Sequence, residues 1–245
     1  MAILNYAWAV TIHAHSTYQW EIPMGKTIQL TASDGHKLSA YRAEPAGKPK
    51  AGLIVAMEIF GVNSHIRGVA DGYAADGYLV IAPALFDRAQ PGYETGYSQE
   101  EVQRGIGIIQ KLTLDNAMKD VSAAMGNIAS AGKVGIVGYC WGGTVSWKAA
   151  CNVDGLACAV PYYGGGIPGL IAEKPKCPVL FHWGESDHSI PLSKAQEFAA
   201  AHKDQTHYFY AAGHGFNCEQ RGSYDAQSAG LARTRTLAFF AKHLT

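Results

Sequence analysis

Cys140 is the residue of this sequence that is best suited to covalent chemistry. It stands in the stretch GKVGIVGYCWGGTVSW, with Gly138 and Gly142 two positions away on either side. A nucleophile between two such glycines is typical of a sharp strand-to-helix turn, because larger neighbours would collide with the adjacent strand or helix. The following helix would point its N-terminal N–H groups at the sulfur and favour the thiolate. The N–H of Trp141 would then face a developing oxyanion.

Two other interpretations of Cys140 stay open. Most free cysteines are small buried hydrophobic residues, and this one could simply end a core strand, although the flanking glycines would then be accidental. A phosphate-binding loop is the other alternative, but the stretch has neither the GK[ST] ending of a P-loop nor a G-x-G-x-x-G pattern. We therefore expect a nucleophile.

A cysteine nucleophile needs a base and a group that orients the base. α/β-Hydrolases carry these residues downstream, in the order nucleophile, acid, histidine. Asp187 follows the apolar run PVLFHWG, and His214 follows HYFYAA with a glycine on either side. Both are expected past strand ends, on the sheet edge where Cys140 emerges. The competing candidates are one other acid and four other histidines: Glu185, His182, His188, His202 and His207.

Neither a metal nor a cofactor is expected at these residues. The sequence contains no CxxC or HExxH spacing, and the HAH of His13 to His15 lies in an N-terminal segment of doubtful structure. His182 lies within an apolar run and is interpreted as a core histidine, whereas His202 is interpreted as a helix-end residue.

The elements that position these residues alternate between strands and helices. Two alternating segments between Lys26 and Arg42 predict an antiparallel hairpin around the turn Ser33-Asp34-Gly35. Continuous apolar runs, which suit buried parallel strands, then follow: AGLIVAME, GYLVIAPAL, GKVGIVGY, GLACAVPYY and CPVLFHWG. A helical apolar stripe covers Thr113 to Ala131, and a last strand, THYFYAA, precedes a helix from about Ser223 to Leu244. This order predicts an α/β fold with a doubly wound, mostly parallel sheet.

Composition narrows the class of protein. The 245 residues suffice for one sizeable core, and we expect a single domain over residues 24–245, with residues 1–23 as an appendage. Twenty basic and twenty acidic residues balance, so charge indicates neither nucleic-acid nor membrane binding and favours a small-molecule partner. Five scattered cysteines favour free thiols in a reducing compartment, and hence a cytoplasmic protein. No run reaches the roughly 18 to 20 apolar residues of a membrane span.

Five ordered motifs give the sequence a family likeness. From about Lys26 to the C-terminus it resembles dienelactone hydrolase, or carboxymethylenebutenolidase, in the segments MEIFGVN, LFDRAQPG, GYCWGG, GESDHSIP and AGHGFNC. The resemblance implies an α/β-hydrolase fold and hydrolysis of an ester or lactone by a triad of Cys140, His214 and Asp187, through a thioester acyl-enzyme.

The resemblance also implies roles for residues outside the triad. Glu58 is expected to interact with the resting thiol and, when substrate shifts it, to help form the thiolate; the N–H of Ile59 is expected to be the second oxyanion donor. Arg88 matches a family arginine that binds the substrate carboxylate. The family's second such arginine falls at Cys218 here, and Arg221 follows three residues later as a replacement.

Three functions are therefore considered. The first is hydrolysis of a carboxylate-bearing enol lactone by a cysteine-dependent enzyme without a cofactor. The second is a carboxylesterase of broader specificity, and the third is a non-catalytic relative that binds a small molecule in the same pocket. An intact nucleophile, acid and histidine favour an enzyme, because a binding protein has no physical need for all three. A monomer or small homo-oligomer is expected.

Overall fold

The computed structural model describes residues 25–245. The prediction that residues 1–23 form an appendage lies outside the described residues. Among residues 25–245, none of the helices combines the length and the apolar character that a membrane crossing requires.

In the described part of the chain, an eight-stranded, mostly parallel sheet forms the centre of the fold, in the order β1-β2-β4-β3-β5-β6-β7-β8. β1 and β2 pair antiparallel, β2 runs antiparallel to β4, and the other neighbours are parallel. This confirms the predicted fold class and the N-terminal hairpin. The strands are β1 (Lys26–Thr31), β2 (Lys37–Ala43), β3 (Gly52–Ala56), β4 (Leu79–Pro83), β5 (Val134–Tyr139), β6 (Leu156–Tyr162), β7 (Leu180–Gly184) and β8 (Thr206–Tyr210).

Six α-helices within residues 25–245 flank the sheet and bury its middle strands. Every residue of β3, β4 and β5 is buried, as expected for continuous apolar runs that are covered on both faces. The helices are α1 (Ser64–Ala75), α2 (Gln99–Ile109), α3 (Leu114–Ile128), α4 (Trp141–Asn152), α5 (Leu192–Ala201) and α6 (Ala226–Leu244).

Two predicted helices start later than the periodicity indicates, and each has a capping residue at the start. Thr113 accepts a hydrogen bond from the N–H of Asn116, so α3 begins at Leu114. Asp225 accepts one from the N–H of Ser228, so α6 begins at Ala226 rather than near Ser223. A capping side chain satisfies an N–H that has no partner within the helix, and thereby fixes where the helix starts.

Candidate active site

Cys140 lies at a sharp turn between β5 and α4. Its φ of 55° and ψ of −117° are unusual for a residue with a side chain, and such strain is often stored at functional positions. The turn depends on its glycines. A Cβ on Gly138 would overlap the carbonyl of Gly142, and a Cβ on Gly142 would overlap the carbonyls of Ala56, the last residue of β3, and Met57, which follows it. The half-buried sulfur therefore stands at the N-terminus of α4, at the carboxyl edge of the sheet.

Asp187 and His214 meet at the same edge. The Nδ1 of His214 lies 2.9 Å from Oδ2 of Asp187, and both side chains are almost completely buried. The other carboxylate oxygen of Asp187 accepts hydrogen bonds from the N–H groups of Ser189 (2.8 Å) and Ile190 (3.1 Å), which fix the orientation of the carboxylate. Asp187 can thus hold the imidazole in the orientation in which Nε2 is free to act as a base.

The protonation of His214 depends on its neighbours. Burial alone would lower the pKa of His214, but the Cys140 sulfur and the hydrogen bond with Asp187 outweigh burial and raise it to about 10. The direction favours a protonated imidazole beside the sulfur at neutral pH.

This raised pKa predicts a loss of stability at alkaline pH. Between its ordinary value of 6.5 and about 10, the folded protein holds a proton on His214 that the unfolded chain has released. The free energy of unfolding that this proton contributes is thus fully present below pH 6.5 and is lost as pH rises towards 10. The release of one proton changes the free energy of unfolding by at most about 1.4 kcal/mol per pH unit.

Urea denaturation across this pH range measures the effect. We expect a shallower alkaline fall in His214→Asn than in the wild type. His188→Asn is the matched control, because His188 is an exposed histidine whose ring lies 6.2 Å from that of His214. Equal slopes in the wild type and His214→Asn would contradict the prediction.

Glu58 and Arg221 form an ion pair next to this centre. Oε1 of Glu58 lies 3.1 Å from Nη1 of Arg221, in a contact that joins residues 163 positions apart in the chain. Glu58 is buried, and the guanidinium lies 5.5 Å from the ring centroid of Phe60. Gly215 has a φ of 78°, and a Cβ there would collide with the guanidinium of Arg221. The chain thus makes room for this arginine directly after His214.

Arg88 lies elsewhere, and its expected contact with substrate gains no support. Its guanidinium makes two hydrogen bonds of 2.7 Å to the buried carboxylate of Asp120 and further ones to Asp34. Arg88 is not among the described residues that line the cavity at Cys140. An arginine that neutralises a buried carboxylate in a bidentate pair has a structural task already.

A cavity of about 490 Å³ opens above Cys140 and His214. Arg221, Ile59, Trp141 and the competing histidine His188 also line it. Its far wall is aliphatic and comes from α2, the segment before α3 and the first residue of α3: Val102, Ile106, Ile109, Leu112 and Leu114. The cavity thus offers a nucleophile, a histidine and one guanidinium within mostly apolar surroundings.

Neither α2 nor the aliphatic wall that it forms was among the elements predicted from the sequence. A local signal was present. Ser98 and Glu101 form a capping box, in which the Ser98 hydroxyl accepts the N–H of Glu101 and the Glu101 carboxylate accepts the N–H of Ser98. Val102, Ile106 and Ile109 then follow at helical spacing.

The other competing residues have different surroundings. His182 is fully buried and its ring nitrogens lie 2.8 Å from the Tyr210 hydroxyl and 3.0 Å from that of Thr236, in agreement with a core histidine. His202 is the C-cap of α5, in agreement with its prediction as a helix-end residue. The Nε2 of His207 contacts the backbone carbonyl of His202. Glu185 is exposed, whereas Asp187 is the acid that contacts His214.

The fold and the turn at Cys140 define an α/β-hydrolase, and comparison with known proteins gives the family. A sequence profile of the dienelactone hydrolase family matches residues 38–244. A carboxymethylenebutenolidase from Pseudomonas putida is 35% identical over 228 residues, which cover 87% of this chain and 95% of that protein. The chain therefore belongs to the dienelactone hydrolase family, and it is an enzyme with carboxylic ester hydrolase activity.

Solved structures agree with this assignment. A crystal structure of a candidate dienelactone hydrolase from Klebsiella pneumoniae matches with a TM-score of 0.75 and 29% identity, over 88% of this chain and 99% of that one. An esterase from Pyrococcus furiosus matches with a TM-score of 0.67 at 15% identity, over 90% of this chain and 92% of that one, and supports the fold alone.

Proposed function

We propose that this enzyme hydrolyses a carboxylic ester or lactone through Cys140, His214 and Asp187, with a thioester acyl-enzyme as intermediate. The observation that carries the proposal is the cavity whose lining includes both Cys140 and His214, the latter held by a buried aspartate. Such an arrangement supplies a nucleophile, a proton carrier and a fixed orientation for that carrier.

The proposed reaction has two halves. The Cys140 sulfur attacks the ester carbonyl, and the developing oxyanion accepts hydrogen bonds from the N–H groups of Trp141 and Ile59. The tetrahedral intermediate then expels the alkoxide, which takes a proton from His214, and leaves an acyl group bound to sulfur. In the second half His214 takes a proton from water, and the resulting hydroxide attacks the thioester carbonyl. The bond between the acyl carbon and the sulfur then breaks, which restores Cys140 and releases the carboxylic acid.

Glu58 is proposed to respond to the charge of the substrate. Its ion pair with Arg221 occupies the guanidinium that a substrate carboxylate would contact. A carboxylate that binds Arg221 competes with Glu58 and releases it towards the thiol, where it can help to remove the proton. Anionic substrates would then promote the thiolate, and the empty enzyme would keep its sulfur less reactive towards oxidants.

Trapping of the acyl-enzyme tests this mechanism. Acid quenching during turnover of an aryl ester, followed by intact-mass measurement, is expected to show one acyl group, and peptide mapping is expected to locate it on Cys140. An acyl group on a serine, or turnover with full burst amplitude after selective alkylation of Cys140, would contradict the proposal.

The cavity favours a substrate that is largely apolar with one anionic group at most. Its wall is aliphatic, and Arg221 is the one arginine or lysine among its described lining residues. The cavity thus offers a substrate carboxylate one arginine and not two, since Arg88 pairs with Asp120 and Cys218 stands at the position of the family's second arginine. The aliphatic wall also favours the second candidate, a carboxylesterase of broader specificity that accepts neutral esters.

The two arginines are expected to respond differently to substitution. Arg221→Gln is expected to lower kcat/KM for a carboxylate-bearing ester relative to its neutral methyl-ester analogue, by about 2 kcal/mol or roughly thirtyfold, because a charge pair loses a partner. Arg88→Gln is the matched comparison. It is expected to leave this ratio unchanged and to cost about 3 kcal/mol of stability, since it leaves the buried carboxylate of Asp120 without its cation.

Steady-state kinetics on the ester pair, together with urea denaturation, separates these effects. A change in the ratio for Arg88→Gln, with none for Arg221→Gln, would return the substrate-binding role to Arg88. No change in either variant would favour the broader carboxylesterase.

A further inference from the structure

A second group of reactive side chains lies beside the active site, on the far side of Glu58. The carboxylate of Glu58, the imidazole of His65 and the thiol of Cys218 each offer an atom within 4.8 Å of the other two. Glu58 follows β3, His65 is in the first turn of α1, and Cys218 is in the loop after His214. All three residues are buried.

Several atoms of this cluster have no partner among residues 25–245. Oε2 of Glu58 makes no hydrogen bond, while Oε1 contacts Arg221. Neither ring nitrogen of His65 makes one, although Nδ1 lies 2.9 Å from Oε2 of Glu219, in a direction that does not satisfy hydrogen-bond geometry. Buried polar atoms are normally satisfied, so unpartnered ones at one place indicate a ligand.

We propose that Glu58, His65 and Cys218 bind a zinc ion. Thiolate, imidazole and carboxylate are the ligands that Zn²⁺ takes in proteins, and three protein ligands leave a fourth position for water. Zn–S and Zn–N bonds of about 2.3 and 2.0 Å place tetrahedral ligand atoms roughly 3.5 Å apart, so closure needs side-chain movements of about 1 Å. On binding, the Cys218 thiol releases its proton to solvent and the sulfur forms the bond to the metal.

The surroundings of His65 suit this role. A metal-binding histidine usually has its other nitrogen next to a carboxylate or carbonyl, and Glu219 lies beside Nδ1. His65 and Glu219 also line a second cavity of about 430 Å³, distinct from the one at Cys140, together with Tyr73, Tyr224 and Arg233. Of the three cluster residues, His65 is the one in the described lining of this cavity, so a metal ion would approach the cluster from the His65 side.

Zinc at this place would inhibit the enzyme, and this part of the proposal rests on the proposed function. Glu58 is the residue shared between the cluster and the ion pair with Arg221. A carboxylate held by a metal could not move towards the Cys140 thiol when substrate arrives. Inhibition would therefore act through Glu58 without contact between the metal and the nucleophile.

The test of binding uses the full chain with Cys140→Ala, which removes the catalytic thiol as a competing ligand. Zn²⁺ is titrated against a chromophoric chelator, and Co²⁺ is used to record the thiolate-to-metal absorption in the near ultraviolet. A second substitution in this protein, Cys218→Ala, is expected to abolish that absorption and to weaken Zn²⁺ binding by more than about a hundredfold. Glu219→Gln, an exposed change beside a ligand, is expected to weaken it by roughly tenfold.

Cys158→Ala in the same background is the matched control. Cys158 carries an equally buried thiol. It lies on β6, where its backbone is opposite Gly135 near the start of β5, away from the carboxyl edge of the sheet. It is expected to leave affinity and absorption unchanged. Unchanged affinity after Cys218→Ala would overturn the proposal. If circular dichroism shows that Cys218→Ala disturbs the fold, His65→Gln is judged by the same two measurements and the same criterion.

Inhibition is tested in the enzyme with Cys140 intact. Zn²⁺ is expected to reduce turnover reversibly, with recovery on addition of a chelator, and Cys218→Ala is expected to keep its basal activity and lose this sensitivity. Inhibition that persists in Cys218→Ala would assign the effect to metal on Cys140 and overturn the inhibitory role. Failure of the proposed catalytic mechanism would leave the binding result in the Cys140→Ala background unaffected.

Discussion

Cys140→Ala is expected to reduce kcat for ester hydrolysis by a factor on the order of 10⁵ or more, because the acyl group loses the atom to which it is transferred. The fold should survive, since a small side chain replaces another at a half-buried turn and the glycines that permit the turn remain. Steady-state kinetics with a sensitive aryl ester and a thermal melt measure the two properties. Activity near that of the wild type would exclude Cys140 as nucleophile.

Two further variants test whether the loss of activity is specific to the sulfur of Cys140. Cys140→Ser is expected to be poorly active, because a hydroxyl at this position needs a stronger base arrangement than a thiol beside a protonated imidazole. Cys177→Ala is the control, as Cys177 is another half-buried free thiol but does not line the cavity. It should keep full activity. A serine variant as fast as the parent would mean that sulfur is incidental to the reaction.

The strands and the candidate triad could be predicted because both depend on local patterns. Continuous apolar runs predict buried parallel strands, and in a parallel sheet the residues after those strands share one edge. Cys140, Asp187 and His214 each follow such a run, and the structure brings them to the same edge. The two glycines around Cys140 are local as well, since each removes a clash that any side chain there would cause.

The contacts of the charged residues could not be predicted in this way. Arg88 stands in a motif that resembles a family signature, but its partners Asp120 and Asp34 are 32 and 54 positions away and carry no mark of that pairing in the sequence. The Glu58–Arg221 pair spans 163 positions. Such pairs depend on how helices and loops pack over the sheet, which hydrophobic periodicity does not specify.

The aliphatic wall is an intermediate case. Its helix, α2, has a readable capping box and helical apolar spacing, but its position over Cys140 depends on tertiary packing. A Cβ on Gly105 of α2 would overlap the carbonyl of Ile59, so the helix approaches the segment after β3 closely. The helix could thus be predicted from sequence, whereas its role in shaping the substrate cavity could not.

Asp187→Asn is expected to lower kcat/KM by about 10⁴, a loss typical of acids that orient a catalytic histidine. The amide oxygen can keep the N–H groups of Ser189 and Ile190, and the NH₂ group then faces Nδ1 of His214. Two donors cannot share one hydrogen bond, so the imidazole must carry its proton on Nε2 instead. In that tautomer Nε2 cannot take the proton of the attacking water, and the imidazolium also loses a stabilising charge.

A pH profile distinguishes this orienting role from a structural one. Removal of the Asp187 charge also lowers the pKa of His214, so the imidazolium should be lost at lower pH in Asp187→Asn than in the wild type. Glu185→Gln is the matched control, because Glu185 is the exposed acid two residues earlier and was the alternative candidate. It should retain wild-type kcat/KM and pH dependence. If Glu185→Gln lost activity while Asp187→Asn stayed within about tenfold of the wild type, the acid of this site would be Glu185, and the buried contact between Asp187 and His214 would be structural.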